Sequence, residues 1–344
     1  MHKKNLVSGM RPTGELHIGH YLGVLRNWVE LQNSSKYNCF FFVADWHSLT
    51  TKYERTEDLQ KNIIEVTRDF VASGLDPQKS TIYVQSAIPE IAELHLLLSM
   101  VTPNNWAERD PTLKDLVRAL AHGKTSEQDV QNENGILSYG MLGYPILQTS
   151  DILTFRASLV PVGKDQVAHI EISRDIARRF NNIFGCDFFP EPKALLTETP
   201  TVKGTDGGKM SKSFNNDIKI SAGEEETLKQ VKSMITDSQR IKKSDPGSTE
   251  RCEVPFPYYK IFADNQQVER VKRECESAVR GCFDCKKQLA EIMNDRFKEI
   301  RIRRKSFNDD EILNILKEGN EIARIKAQNN LKEVRKIIKL HNWN

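Results

Sequence analysis

No stretch of about 18 uncharged apolar residues occurs in the 344-residue chain, which excludes a membrane-spanning helix. Charge of one sign is lacking too. Fifty Lys and Arg stand against 47 Asp and Glu, and a net charge of +3 is too small to mark a nucleic-acid binder by composition. Internal repeats and low-complexity tracts are missing, so neither a solenoid nor a disordered tail is expected. Cysteine is sparse, at six residues, and no export signal accompanies it, so disulfides are not expected. Met1-His2-Lys3-Lys4 leads directly into Leu6-Val7, which reads as the first core strand. That leaves no room for a secretory or transit segment, and the cytoplasm is the expected location. What remains, 38% hydrophobic and 28% charged residues, is the composition of a globular protein of about two domains.

Between residues 5 and 215, short β-rich runs alternate with longer helical patterns. Leu6–Ser8, Cys39–Ala44 and Ser80–Gln85 read as strands, and 19–32 and 57–73 as helices, the second stopped by Gly74 ahead of Asp76-Pro77. Continuously apolar strands separated by amphipathic helices imply a parallel sheet covered on both faces. Such sheets bind ligands beyond the carboxyl ends of their strands, where strand order reverses. From about residue 222 helical patterns take over, so an α/β catalytic domain followed by a smaller helical domain is expected. Arg296, Lys298, Arg301, Arg303, Arg304 and Lys305 form one basic cluster, and Lys332, Arg335, Lys336 and Lys339 line a helix side opposite Leu331, Val334 and Ile338. Each reads as a solvated face or as a phosphate contact.

Two motifs carry chemistry. The first strand ends in Gly9, Pro12 and Gly14, and His17-Ile18-Gly19-His20 then opens a helix. A glycine-rich turn leading into a helix amino terminus offers unpaired N–H groups to phosphate, and two histidines add side-chain donors. Gly19 leaves space for a nucleoside. The second motif, Gly207-Gly208-Lys209-Met210-Ser211-Lys212-Ser213, puts two lysines and two hydroxyls on a glycine-hinged loop suited to a moving phosphate charge. Alone it could equally be a surface turn.

The pair resembles the HIGH and KMSKS signatures of class I aminoacyl-tRNA synthetases, which implies a Rossmann-type catalytic domain. In that family His17, Gly19, His20, Lys209 and Lys212 would stabilise the transition state as an amino-acid carboxylate attacks the α-phosphorus of ATP, with Mg²⁺ on the departing pyrophosphate. Arg11, Thr13, Gly163, Asp165, Met210 and Ser211 would complete the ATP site.

A third segment, Leu142 to Leu153, reads as an apolar helix starting near Pro145 with Tyr144, Gln148 and Asp151 on one face. A carboxylate in such a helix needs a partner, either a structural neighbour or a ligand. This segment, together with Val160–Glu171, Ser8–Gly14 and Val43-Ala44-Asp45-Trp46-His47, resembles bacterial tryptophanyl-tRNA synthetases over essentially the whole chain. The resemblance implies that Asp151 accepts the indole N–H of tryptophan and that Tyr144 and Gln166 hold its ammonium group. His47, Gln148 and Gly9 would line the pocket. Gln148 and Arg11 depart from the family pattern, where Met and Gln are common. The implied organisation is a catalytic domain over 1–215, an anticodon-reading helical domain over 216–325, and a helix over 326–344 packing back on the first. A homodimer acting on tRNA(Trp), tryptophan and ATP follows from the same resemblance.

Cys39 and Cys186 lie in apolar surroundings and read as packing residues. Cys252, Cys275, Cys282 and Cys285 instead follow C-x22-C-x6-C-x2-C. Four thiolates can hold Zn²⁺ or a [4Fe–4S] cluster, and spacing alone does not separate them. The spacing is similar to that of the tryptophanyl-tRNA synthetases that carry the cluster. Three rivals stay open: a tyrosyl-tRNA synthetase, a small-molecule nucleotidylyltransferase, and a non-enzymatic synthetase-like RNA-binding protein.

Overall fold

A computed structural model describes residues 3–108, 138–163, 166–196 and 202–341. The chain begins with β1 (Lys4–Met10), α1 (Ile18–His20), a π-helical turn, α2 (Arg26–Asn33), β2 (Tyr37–Val43), α3 (Asp45–Lys52), α4 (Leu59–Ala72) and β3 (Ser80–Val84). It continues with α5 (Pro89–Val101), α6 (Asn104–Ala107), α7 (Tyr139–Leu142), α8 (Tyr144–Thr154), β4 (Leu159–Val162), α9 (Val167–Phe184) and β5 (Lys193–Leu196). Helices α10 (Glu224–Ser233), α11 (Pro255–Phe262), α12 (Asn265–Glu276), α13 (Cys282–Ser306) and α14 (Asp309–Ile337) follow. None of the described helices is long and apolar enough to cross a membrane.

The five strands form one sheet in the order β3-β2-β1-β4-β5, and every pairing is parallel. This is the expected α/β class. In β2, Phe40, Phe41, Phe42 and Val43 are all buried, because both sheet faces are covered and alternation has no role. Phe41 stacks on Trp28 at 4.6 Å and Phe40 on Phe155 at 4.8 Å. α4 buries Val66 and Phe70, and the chain then turns at Gly74, whose φ of +113° is open to glycine. Strand order reverses between β2 and β4 around β1, so the carboxyl ends of β1 and β4 flank the switch point. Arg11–Gly14 and Gly163 follow those two ends.

The chain divides into two compact units, 1–14 with 27–198 and 308–344, and 15–26 with 199–307. The position expected to separate a last helix, residue 325, falls inside the unbroken α14. That helix lies on edge strand β3. Asn320 Oδ1 accepts the Val84 N–H at 2.9 Å, supplying a partner that no further strand among the described residues provides. Asn330 donates to the Thr154 carbonyl at 2.8 Å, and Arg335 pairs with Glu93 at 2.6 Å. Gly319 faces Ile82 so closely that a Cβ there would stand 1.8 Å from the carbonyl oxygen. Gly319→Ala is therefore expected to destabilise the protein by about 2–3 kcal/mol, as overpacking against backbone does. Urea unfolding monitored by circular dichroism would measure it.

In the second unit, α13 buries Leu289, Ala290, Met293, Phe297 and Ile300 at helical spacing. Tyr21 and Phe262 pack edge-on against Phe297, at 5.4 and 5.8 Å. The basic cluster expected on this helix does not form a single face. Arg296, Lys298, Arg303 and Lys305 are exposed. Arg301, in contrast, donates to Thr227 Oγ1 at 3.0 Å and Arg304 lies 3.6 Å from Glu15. A helix of this length turns through every direction, so consecutive arginines part company.

Candidate active site

In the first unit, α3, α8 and the turn after β3 bring a set of polar side chains together inside an apolar shell. Asp151 is completely buried among Ile152, Leu153 and Phe155. Its Oδ2 lies 2.8 Å from His47 Nε2, and its Oδ1 accepts from Gln85 Nε2 at 2.8 Å. Burial pushes the Asp151 carboxyl above the ordinary carboxylate range. The hydrogen bonds from His47 and Gln85 pull it back, and the charge of Asp45 adds to the rise. An ionised carboxylate only accepts, so His47 presents an N–H from Nε2 to it and turns Nδ1 away. That Nδ1 is buried without a partner, as is Gln148 Oε1. Buried polar atoms left without a partner near one carboxylate are the mark of a pocket that a ligand completes.

Tyr144 and Gln166 lie near this group. The Tyr144 ring lies 4.5 Å from His47 and 5.8 Å from His169, edge-on to both. Gln166 Oε1 lies 3.0 Å from His169 Nδ1. Tyr144, Gln148 and Asp151 do follow one another along α8, and the helix starts at Tyr144 with Pro145 in its first turn. Gly9, on β1, is held to glycine by the Phe42 ring, which a Cβ would meet at 2.3 Å. Thr13 lines a small polar cavity with Ser48, Lys52, Arg55 and Asn62, while Arg11 is exposed. Asp165 lies outside the described residues.

The second unit joins the histidine motif to the lysine loop. Backbone pairing does this: Ile18 N–H donates to the Ile218 carbonyl at 2.8 Å and Ile220 N–H to the Leu16 carbonyl at 3.0 Å. Segments far apart in sequence thus run side by side just after the loop. The His17 and His20 rings stand 3.7 Å apart, and His17 N–H donates to His20 Nδ1 at 3.3 Å. In a neutral His20 the proton is therefore on Nε2, where it can donate outward. Burial, and then the nearby Lys212 charge, hold the His17 imidazole down at a pKa of about 4. His17 is neutral at physiological pH. A Cβ on Gly19 would stand 2.9 Å from the His17 ring and 3.6 Å from Met210 Sδ. The space beside this glycine is occupied by the two motifs themselves.

Asn216, which the sequence reading does not single out, braces the loop. It is buried, accepts from Ser211 N–H at 2.7 Å, and donates to Asp206 at 2.8 Å and to the Lys209 carbonyl at 3.0 Å. Lys209 is exposed and Lys212 half-buried. Nothing but its distance from the lysine pair could have flagged Asn216 in the sequence.

Cys252, Cys275, Cys282 and Cys285 all belong to the second unit and carry no disulfide. Arg240 Nη1 stands 3.9 Å from both Cys275 Sγ and Cys282 Sγ, and a Cβ on Gly247 would meet Cys275 Sγ at 2.5 Å. Burial pushes the Cys252 thiol up to about 11 and that of Cys285 to about 12. Among the described residues no group of three or more His, Cys, Asp or Glu is placed to hold a metal ion. Four thiolates remain the donor set of either a zinc ion or a [4Fe–4S] cluster. Cys39 is buried as expected, and Cys186 is partly so.

Residues 2–298 match the family model of class I tRNA synthetases for tryptophan and tyrosine. The tryptophan–tRNA ligase of Aquifex aeolicus is 42% identical, with 97% of this chain and 99% of that protein aligned. The tryptophan–tRNA ligase of Thermotoga maritima is likewise 42% identical, over 97% and 99%. Among solved structures, the tryptophanyl-tRNA synthetase of Campylobacter jejuni with ADP and tryptophan superposes with a TM-score of 0.84 at 35% identity, covering 98% of this chain and 100% of that one. A tyrosyl-tRNA synthetase from Archaeoglobus fulgidus, with a TM-score of 0.63 at 19% identity, shares the fold alone.

Proposed function

The chain belongs to the tryptophan–tRNA ligases, and from that premise we propose that it activates tryptophan with ATP and passes it to tRNA(Trp). Asp151 accepts the indole N–H, and this buried, doubly bonded carboxylate is the observation that carries the reading. Tyr144 and Gln166 hold the ammonium group, while His47, Gln148 and Gly9 line the pocket. With the substrate so fixed, a carboxylate oxygen of tryptophan attacks the α-phosphorus of ATP, and the bond to the β-phosphate breaks. Pyrophosphate departs, and a ribose hydroxyl at the end of tRNA(Trp) then takes the tryptophanyl group from the adenylate, releasing AMP.

His17 and His20 donate to the phosphate oxygens, and Gly19 keeps the turn tight beneath them. Lys209 and Lys212 follow the charge as it moves onto pyrophosphate, with Met210 and Ser211 ordering their loop. Arg11, Thr13, Gly163 and Asp165 complete the ATP site. Mg²⁺ neutralises the leaving group when bound. No covalent enzyme intermediate is needed. ATP–pyrophosphate exchange tests the scheme directly. It should require tryptophan, and exchange driven equally by tyrosine would overturn the role of Asp151.

Further assignments rest on the same reading. The segment 216–325 reads the anticodon, 1–215 carries the catalysis, and 326–344 stays with the catalytic part. A homodimer is supported by Leu96 and Met100, exposed one turn apart on α5, and by exposed Tyr139. The work belongs to translation in the cytoplasm.

The four cysteines fit a [4Fe–4S] cluster by their chemistry. All four lie in the second unit, and they offer the thiol donor set that such a cluster would take as thiolates. Bound there, it would play a structural role through Cys275 on α12, Cys282 and Cys285 at the start of α13, and Cys252 before α11. Anaerobically purified protein is expected to hold about four iron and four sulfide per chain and to absorb broadly at about 400 nm. Colourless protein with stoichiometric zinc would remove the cluster.

A further inference from the structure

Gln85 opens a 3₁₀ turn at the carboxyl end of β3 and is completely buried. Its Oε1 accepts the Trp46 N–H at 3.1 Å and lies 3.4 Å from the His47 nitrogen. Two backbone donors on one side decide which way the amide faces. The oxygen must point at the first turn of α3, so the NH₂ group is turned onto Asp151 Oδ1 at 2.8 Å. Asp45 locks the same turn from outside, its Oδ1 accepting from both Trp46 N–H and Ser86 N–H at 3.0 Å. The Gln85 amide is therefore anchored in backbone and cannot flip.

We propose that Gln85 is a positioning and specificity-determining residue for the indole ring, holding Asp151 as an oriented acceptor. The inference rests on Asp151 being the acceptor of the indole N–H. A carboxylate has about four lone-pair sites. Here one on each oxygen is taken, by His47 and by Gln85, so rotation of the carboxylate is blocked and the remaining sites have fixed directions. Without the Gln85 donor the buried carboxyl loses part of what keeps it ionised. A protonated carboxyl would present its own O–H, and two donors would face each other.

The test pairs a protein change with a substrate change. Gln85→Met removes the amide at similar volume, and the tryptophan analogue with sulfur in place of the ring N–H removes the group that Asp151 reads. Pyrophosphate exchange should show kcat/KM for tryptophan falling about 10- to 100-fold, nearly all of it in KM. The sulfur analogue should change less than about 3-fold, and KM for ATP should hold within about 2-fold. A fall of equal size for both substrates would mean a structural role only and overturn the proposal.

Gln85→Glu supplies a second arm if the Met variant does not fold. A protonated glutamic acid can accept from Trp46 and donate to Asp151, whereas an ionised one repels it. KM for tryptophan in this variant should worsen as pH rises, the opposite sense to wild type, whose KM rises as pH falls through the raised Asp151 pKa. An unchanged pH profile would overturn the proposal. Should wild type itself not prefer tryptophan over the sulfur analogue, the assignment of Asp151 falls first and takes this inference with it.

Discussion

Asp151→Asn is expected to raise the KM for tryptophan by two orders of magnitude or more while kcat changes far less. Asparagine has nearly the same shape, so the cause is directional. His47 Nε2 and Gln85 Nε2 both donate into this side chain. An amide has one oxygen to offer, and its NH₂ must meet one of those donors head-on. The indole N–H then competes for what is left. Breaking a buried charged hydrogen-bond set costs about 3–5 kcal/mol, which corresponds to about 10²–10⁴ in affinity. The contact is made equally in the bound complex and in the transition state, so the loss belongs in KM. Discrimination against phenylalanine should fall with it, because phenylalanine leaves the remaining acceptor sites of Asp151 unfilled. The wild-type pH profile gives an independent check. Only the ionised carboxyl accepts from indole, and burial has raised its pKa. KM for tryptophan therefore rises as pH falls through that raised pKa and is level above it. His47, His95, Tyr83 and Asp45 lie around the carboxyl and shape the limb. In Asp151→Asn the limb attributable to Asp151 should vanish.

Lys212→Ala is expected to act on the other axis, lowering kcat for adenylate formation by about 10²–10³ while KM for tryptophan moves only a few-fold. A cation aimed at charge that develops on the departing pyrophosphate contributes chiefly in the transition state. The structure adds a reason to expect arginine to substitute poorly. Lys212 lies close enough to His17 to help depress its pKa to about 4. A planar guanidinium there would be larger and less able to track a moving charge. Since His17 is neutral well above that value, the rate should show no ionisation from it between about pH 5.5 and 8. Single-turnover formation of the adenylate, measured across that range, would establish both points. A Lys212→Ala protein with unchanged kcat would remove the loop from the chemistry.

Much of this was legible in the sequence, for particular reasons. The strands announced themselves because Phe40–Val43 is apolar without alternation, and the switch point followed from parallel pairing. Tyr144, Gln148 and Asp151 could be placed on one helix because three- and four-residue spacing is geometry. Gln85 and Asn216 were not legible, since each works through contacts far away in sequence and neither belongs to a motif with its own chemistry. The rule that ligands lie beyond strand carboxyl ends does point at Gln85, one residue past β3, but not at what it holds. The basic stretch on α13 misled for the opposite reason. Composition gives charge, and only helix phase tells which charges face inward. The long continuous α14 was hidden because polar residues fill its outward face evenly and nothing marks where it leaves the helical domain.

That helix has a consequence for how the protein is made. Val84 waits for Asn320 across 236 residues of chain. During translation, β3 and the sheet behind it leave the ribosome long before their cover exists. For that interval the nascent chain carries an open sheet edge, a place where another strand can add. The first unit can complete its fold only after nearly all of the second has been synthesised, because 308–344 belongs to it. Ribosome-bound chains halted before Gly319 should be more prone to aggregate, and more in need of chaperones, than chains halted beyond it.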